Sequence, residues 1–257
     1  MGLPNTLPTM HATSPHMDPF AHLPHLQGQL TPADESALRV TVDTLAEWDE
    51  RARQLGRPGD WRLSNQAIEA SRRAVLGALD AQQDFWVFSY GSLMWDPGFH
   101  FVEVRLAELP AHQRRFTFKT DMGRGSPQYP GLMLSLAPAA GSCQGLAFRI
   151  AAQAADAETA IIWRREMVRG SYSPKRLPVS TPQGDVKALV FADNPGFRDH
   201  VGELPIDQTA AIIAQASGML GTNREYLEQL ALQLGRLAIE DAYLSNLLQR
   251  VQAIAAD

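Results

Sequence analysis

The chain has 257 residues, 45% hydrophobic and 20% charged, the usage of a globular protein with room for one catalytic-size domain plus additional sequence. Its 23 basic and 28 acidic residues give a formal net charge of −5, and the arginines are scattered, which argues against a general nucleic-acid surface. The single cysteine, Cys143, excludes an intrachain disulfide framework and a cysteine-based zinc cluster.

Met1 to Leu30 holds five prolines and four histidines but one formally charged residue, Asp18, with no helical or strand period. Residues 1–30 are therefore expected to be a disordered tail, and His11, His16, His22 and His25 match no metal-ligand spacing. No basic segment leads into an apolar one here. No run anywhere approaches about 18 apolar residues, so the expectation is a cytoplasmic protein without a membrane partner.

Thr31-Pro32-Ala33-Asp34 has the order of a helix opening, with a hydroxyl cap, proline at the first turn and an acid two residues on. A helix is predicted from there to about Arg53. Gly56-Arg57-Pro58-Gly59 breaks it, and Ser64 can cap a second helix with Ile68, Val75, Leu76 and Leu79 on its apolar face. Residues 31–83 thus read as an N-terminal helical extension.

From Asp84 the pattern shortens into strand-like runs at Phe85 to Tyr90, His100 to Leu109, Arg115 to Thr120, Leu132 to Leu136 and Gly145 to Ile150. Leu132, Leu134 and Leu136 alternate with other residues, the period of a two-faced strand. A helix is predicted over Asp156 to Arg169, then strands at Lys175 to Thr181 and Val186 to Ala192. Helices follow at Thr209 to Ser217, Asn223 to Leu234 and Asp241 to Ala255, the second opened by a Thr222/Glu225 capping box. The class is α+β, with a predominantly antiparallel centre over 84–257 and no internal repeat.

Two places can carry chemistry. The strand ending at Tyr90-Gly91-Ser92-Leu93 runs into a turn where glycine leaves no Cβ to block a ligand, so successive N–H groups can converge on an oxyanion; an ordinary strand-ending turn has the same residues. Glu166 follows Ile162 and Trp163 at helical offsets that set its carboxylate beside the apolar face. Desolvation there would raise its pKa toward that of a general base; the alternative is a surface glutamate paired with Arg165 or Arg169.

The Gly123 to Gly131 loop lacks phosphate-loop spacing, and within it Arg124 is the candidate fork for a substrate carboxylate. Cys143 has no histidine near it in sequence, and Ser92 lies outside the nucleophile-elbow pattern, so neither is expected to be a nucleophile. Metal and nucleotide motifs are absent from the sequence.

With these residues in place, the stretch from about Val87 to Val251 resembles the bacterial ChaC branch of the γ-glutamylcyclotransferases. The resemblance rests on ordered motifs: Tyr90-Gly91-Ser92-Leu93-Met94-Trp95 with Pro97; Gly123-Arg124-Gly125 before Pro130-Gly131; Arg165-Glu166-Met167 with Gly170 and Tyr172; Ala188-Leu189-Val190-Phe191; and Ala216-Ser217-Gly218, Leu220-Gly221-Thr222-Asn223 and Tyr226-Leu227. It implies a small, mostly antiparallel β-barrel core with flanking helices, here with an extra N-terminal helical segment. It also implies release of 5-oxoproline from γ-glutamyl peptides, glutathione in this branch, without metal or organic cofactor.

By the same resemblance Glu166 is the catalytic base, Tyr90, Gly91, Ser92 and Leu93 hold the substrate, and Tyr172 and Arg124 are further binding candidates. The partner implied is a small-molecule substrate; oligomeric state is left open. One position departs: where the family commonly has arginine after the Pro-Gly pair, this chain has Leu132, which leaves other γ-glutamyl peptides or amines open as substrates; a non-catalytic regulatory or binding protein on the same fold is the other alternative.

Overall fold

The computed structural model describes residues 18–80 and 82–254. Its longer elements are α1 (Val42–Gln54), α2 (Asn65–Leu76), β1 (Phe85–Ser89), β2 (Glu103–Thr120), β3 (Gly131–Ile150), α3 (Ala155–Glu166), β4 (Ser173–Val179), β5 (Val186–Ala192), α4 (Ile206–Gln215), α5 (Asn223–Arg236) and α6 (Ala242–Ile254). A two-residue pair, Ser217–Gly218 with Gly221–Thr222, precedes α5.

Capping chemistry sets the helix starts. Ser64 accepts from the Ala67 amide at 3.1 Å, and Thr222 accepts from the Glu225 amide at 3.0 Å while the Glu225 carboxylate accepts from the Thr222 amide at 2.8 Å. The helix predicted from Thr31 forms differently: Ala33–Glu35 is one 3₁₀ turn, and α1 begins after Thr41, which makes a reciprocal cap with Thr44. A second hydroxyl ten residues on supplies the stronger cap.

The five main strands form one sheet in the order β2-β3-β1-β5-β4, with β1–β5 parallel and the other pairings antiparallel. The β-barrel expectation is corrected here: among the described residues the edge strands β2 and β4 form no ladder, and a single bridge just past β4, where Glu108 and Ser180 exchange backbone hydrogen bonds of 2.8 and 2.9 Å, links them, so a mixed sheet curls without closing. Four of the predicted strands also merge into two. Register shifts between Pro110 and His112 and between Phe116 and Phe118, with Ala111 at φ 58°, carry β2 and β3 through the punctuation as bulges that sharpen the twist.

The tail expected over residues 1–30 is also corrected for its described part. Leu26 and Leu30 belong to the same buried core as the strands, together with Val40, Leu45 and Ile68 of the following segment. Pro19 accepts from the Val104 amide at 2.9 Å, and the Thr31 amide donates to the Trp95 carbonyl at 2.9 Å. Sparse charge had hidden enough apolar surface to offset the ordering entropy. His22 pairs with Glu103 at 3.1 Å, while His11 and His16 lie outside the described residues.

Candidate active site

At the end of β1 the chain turns through Tyr90 and Gly91 into a single 3₁₀ turn, Ser92–Met94. The Met94 amide donates to the Gly91 carbonyl at 2.9 Å. The N–H groups of Gly91 and Leu93 meet no acceptor among the described residues. A Cβ at position 91 would stand 2.9 Å from the Tyr226 hydroxyl, so a side chain there would displace that phenol.

α3 brings up the carboxylate. Ile162 and Trp163 are buried on its core side, and Glu166 at its last turn follows them inward, with its side chain 16% exposed. Burial pushes the Glu166 carboxyl above the ordinary carboxylate range, and the neighbouring Arg165 charge offsets part of that rise. The surface-glutamate alternative therefore gives way, although its proposed partner is real: Arg165 Nε lies 3.2 Å from Glu166 Oε1.

Arg165 is the clip that joins the two places. Its guanidinium donates to the Asp96 carbonyl at 2.7 Å and to Ser92 Oγ at 3.0 Å, so one side chain fixes the turn relative to the helix that carries Glu166. A guanidinium fork suits this task because it donates in several fixed directions. In the sequence Arg165 was visible as a surface partner for Glu166 and within the Arg165-Glu166-Met167 motif, without this role.

Tyr90, Gly91, Ser92, Leu93, Glu166 and Tyr172 line one pocket, together with Ser89, Leu134 and Tyr226. The Tyr90 hydroxyl donates to the Phe191 carbonyl at 2.7 Å and the Tyr172 hydroxyl to the Leu134 carbonyl at 3.0 Å. These bonds tie the walls of the pocket together across β1, β3 and β5. Burial holds both phenols far above their usual pKa, and the Glu166 charge adds to the rise, so they stay neutral.

Arg124 is not among the lining residues. Its Nη1 stands 3.3 Å from both the Thr222 carbonyl and Glu225 Oε2, where it braces the entry to α5. Leu132 is also outside the lining: it is a core residue, 2% exposed, with its amide donating to Asn223 Oδ1 at 2.7 Å. Cys143 is buried away from the pocket, and burial pushes its thiol up to about 11, which leaves it unionised at neutral pH.

Sequence reading missed Ser89, Leu134 and Tyr226 as lining residues. Tyr226 was visible within a motif but without a role. The alternation of β3 marked Leu134 as facing one side, yet no pattern says which side meets a pocket.

A family model described as ChaC-like protein matches residues 85–254. The glutathione-specific gamma-glutamylcyclotransferase of Escherichia coli K12 is 34% identical over 198 residues, covering 77% of this chain and 84% of its own. Glutathione-specific gamma-glutamylcyclotransferase 1 of Homo sapiens is 30% identical over 175 residues, covering 66% and 79%. Among solved structures, the yeast gamma-glutamylcyclotransferase specific to glutathione superposes with a TM-score of 0.61 at 22% identity, covering 66% of this chain and 96% of its own. At that identity the likeness speaks to the fold.

Proposed function

This chain belongs to the ChaC-like protein family, and from that premise we propose that it is a γ-glutamylcyclotransferase that converts glutathione into 5-oxoproline and Cys-Gly. The observation that carries the reading is a buried carboxylate of raised pKa facing the same pocket as the glycine turn. That combination is what the reaction needs.

The α-ammonium of the γ-glutamyl group must first lose a proton, and Glu166 takes it. The freed amine attacks its own γ-carbonyl carbon, a new C–N bond closes the five-membered lactam, and the C–N bond to the cysteine breaks. The proton held by Glu166 passes to the departing Cys-Gly nitrogen, and the second proton that the attacking nitrogen sheds once its C–N bond has formed follows by the same carboxylate and completes the Cys-Gly ammonium, so one group acts as base and then as acid. Nucleophile and electrophile share a molecule, so the enzyme's main task is to fold the substrate into attack geometry.

The Gly91 and Leu93 amides are suited to steady the negative charge that develops on the carbonyl oxygen. Arg165 supports both halves by holding turn and helix together, and Tyr172 forms a neutral wall. No step requires a metal or an organic cofactor. We place the reaction in the cytoplasm, where a chain with one cysteine needs no oxidising compartment.

A substrate panel tests this reading. Glutathione, γ-glutamyl dipeptides and γ-glutamyl amines are incubated with the purified chain and 5-oxoproline is quantified. Fastest release from glutathione, with equimolar Cys-Gly, is expected. Faster release from the other γ-glutamyl compounds would overturn the substrate assignment while keeping the chemistry, and no release from any would overturn the chemistry itself.

A further inference from the structure

Ser89 is the last residue of β1, paired with Leu146 of β3. It is fully buried, and its Oγ has no hydrogen-bond partner. A buried hydroxyl in that state bears its desolvation cost without return. The same residue lines the pocket that holds Glu166 and the glycine turn.

Of the four other hydroxyls on the lining, three are engaged, and that of Tyr226 donates to no acceptor among the described residues. Tyr90 and Tyr172 donate to backbone carbonyls, and Ser92 Oγ is held by Arg165. Ser89 therefore keeps an unused proton at the pocket wall. None of the lining residues is Lys or Arg, and the Arg165 guanidinium is already taken up by Glu166, Ser92 Oγ and the Asp96 carbonyl, so the donors left for a substrate carboxylate at this wall are neutral ones. The Gly91 and Leu93 amides have other work if they serve the oxyanion.

We propose that Ser89 is a substrate-binding residue whose hydroxyl donates a hydrogen bond to the α-carboxylate of the γ-glutamyl head. This rests on the cyclotransferase reading. A hydroxyl left unpaired in the free protein is paired in the complex, so its cost becomes selectivity for a γ-glutamyl group that carries the carboxylate. The bond exists in ground state and transition state alike, so its loss falls on KM more than on kcat.

Ser89→Ala is the test, because it removes one oxygen and leaves the strand unaltered. Wild-type and variant are compared in KM and kcat for glutathione, in melting temperature, and in calorimetric affinity for 5-oxoproline and for 2-pyrrolidinone, the same lactam without the carboxylate. The variant should raise KM by roughly ten- to a hundredfold, the worth of a hydrogen bond to a charged group. It should keep kcat within a few-fold and melt no lower than wild-type. Its loss of 5-oxoproline affinity should disappear with 2-pyrrolidinone.

An unchanged KM and an unchanged 5-oxoproline affinity overturn the proposal and mark the hydroxyl as one satisfied by a trapped water. Equal losses for both lactams also overturn it, because the contact would then not be to the carboxylate. If wild-type releases no 5-oxoproline, the cyclotransferase reading fails on that measurement alone. The lactam affinities still decide the role of Ser89, and a wild-type chain that binds 5-oxoproline no better than the variant counts against it.

Discussion

Glu166 has a pKa that burial raises and Arg165 partly restrains, and both effects are measurable. As a base it works only when ionised, so kcat/KM should rise with pH along an acid limb lying above the ordinary glutamate value of about 4.3. Arg165→Gln removes the restraint and should move that limb further up while lowering the rate, because the turn at Ser92 and Asp96 also loses its donor. A limb that stays near pH 4 in both proteins would contradict the assignment. Melting temperature gives a second readout. The folded pKa lies above the unfolded one, so the group's contribution to stability is full below the unfolded value and is lost as pH rises through the folded value. Glu166→Gln is neutral throughout, and its melting temperature relative to wild-type should climb as pH rises above the unfolded value of about 4.3 and level off once the raised folded value is passed.

The Gly123 to Gly131 loop and the turn that leads into α5 depend on contacts between elements. Gly218 faces the Gly123 to Gly131 loop so closely that a Cβ would stand 2.3 Å from the Gly125 carbonyl and 2.4 Å from that of Gly123. Both are backbone atoms that cannot swing aside. Gly218→Ala should cost about 1–3 kcal/mol, as overpacked sites do, read as a lower urea midpoint. Asn223 acts as a surrogate strand partner, accepting from the Leu132 amide at 2.7 Å and donating to the Leu132 carbonyl at 3.1 Å. Asn223→Ala leaves both backbone groups buried and unpaired, at about 1–3 kcal/mol each, and equilibrium unfolding measures the sum.

These elements also show what the sequence makes legible. The caps at Ser64 and Thr222, the α+β class and the shared pocket of Glu166 with Tyr90 to Leu93 rest on local chemistry or on ordered motifs, and both are readable from residue order. The merging of strands across Pro110 and Gly141 was not, because a bulge looks locally like a break and only the partner strand shows that pairing resumes. Arg124 went to Glu225 instead of the pocket, a choice between two anions that spacing cannot make. Ser89 gave no signal at all, since a serine ending a strand has no pattern of its own.

At the scale of the molecule, the segment before β1 is part of the one core, not an appendage. Leu26, Leu30, Val40, Leu45 and Ile68 pack into it, and Arg39 grips buried Glu158 with hydrogen bonds of 2.7 and 2.9 Å while donating to the Gly98 carbonyl just beyond the site turn. Arg39→Ala leaves the Glu158 carboxylate with the His100 amide and ring as its partners, the ring being cationic only when protonated, and should cost about 1–3 kcal/mol, the worth of hydrogen bonds to a charged group, with a drop in melting temperature as the readout. A chain begun at Asp84 should lose cooperative unfolding, although it retains residues 85–254, which the family model matches. Retention of the full melting temperature by that shorter chain would separate the segment from the core.

The central claim is that Glu166 moves the proton that allows the γ-glutamyl group to close on itself. The most direct measurement is the release of 5-oxoproline from glutathione by wild-type and Glu166→Gln at neutral pH, with circular dichroism on both to establish the fold. Wild-type should release 5-oxoproline and Cys-Gly in equal amounts, and the folded variant should be slower by roughly 10²–10⁴-fold. A folded Glu166→Gln protein that releases 5-oxoproline at the wild-type rate would contradict the account.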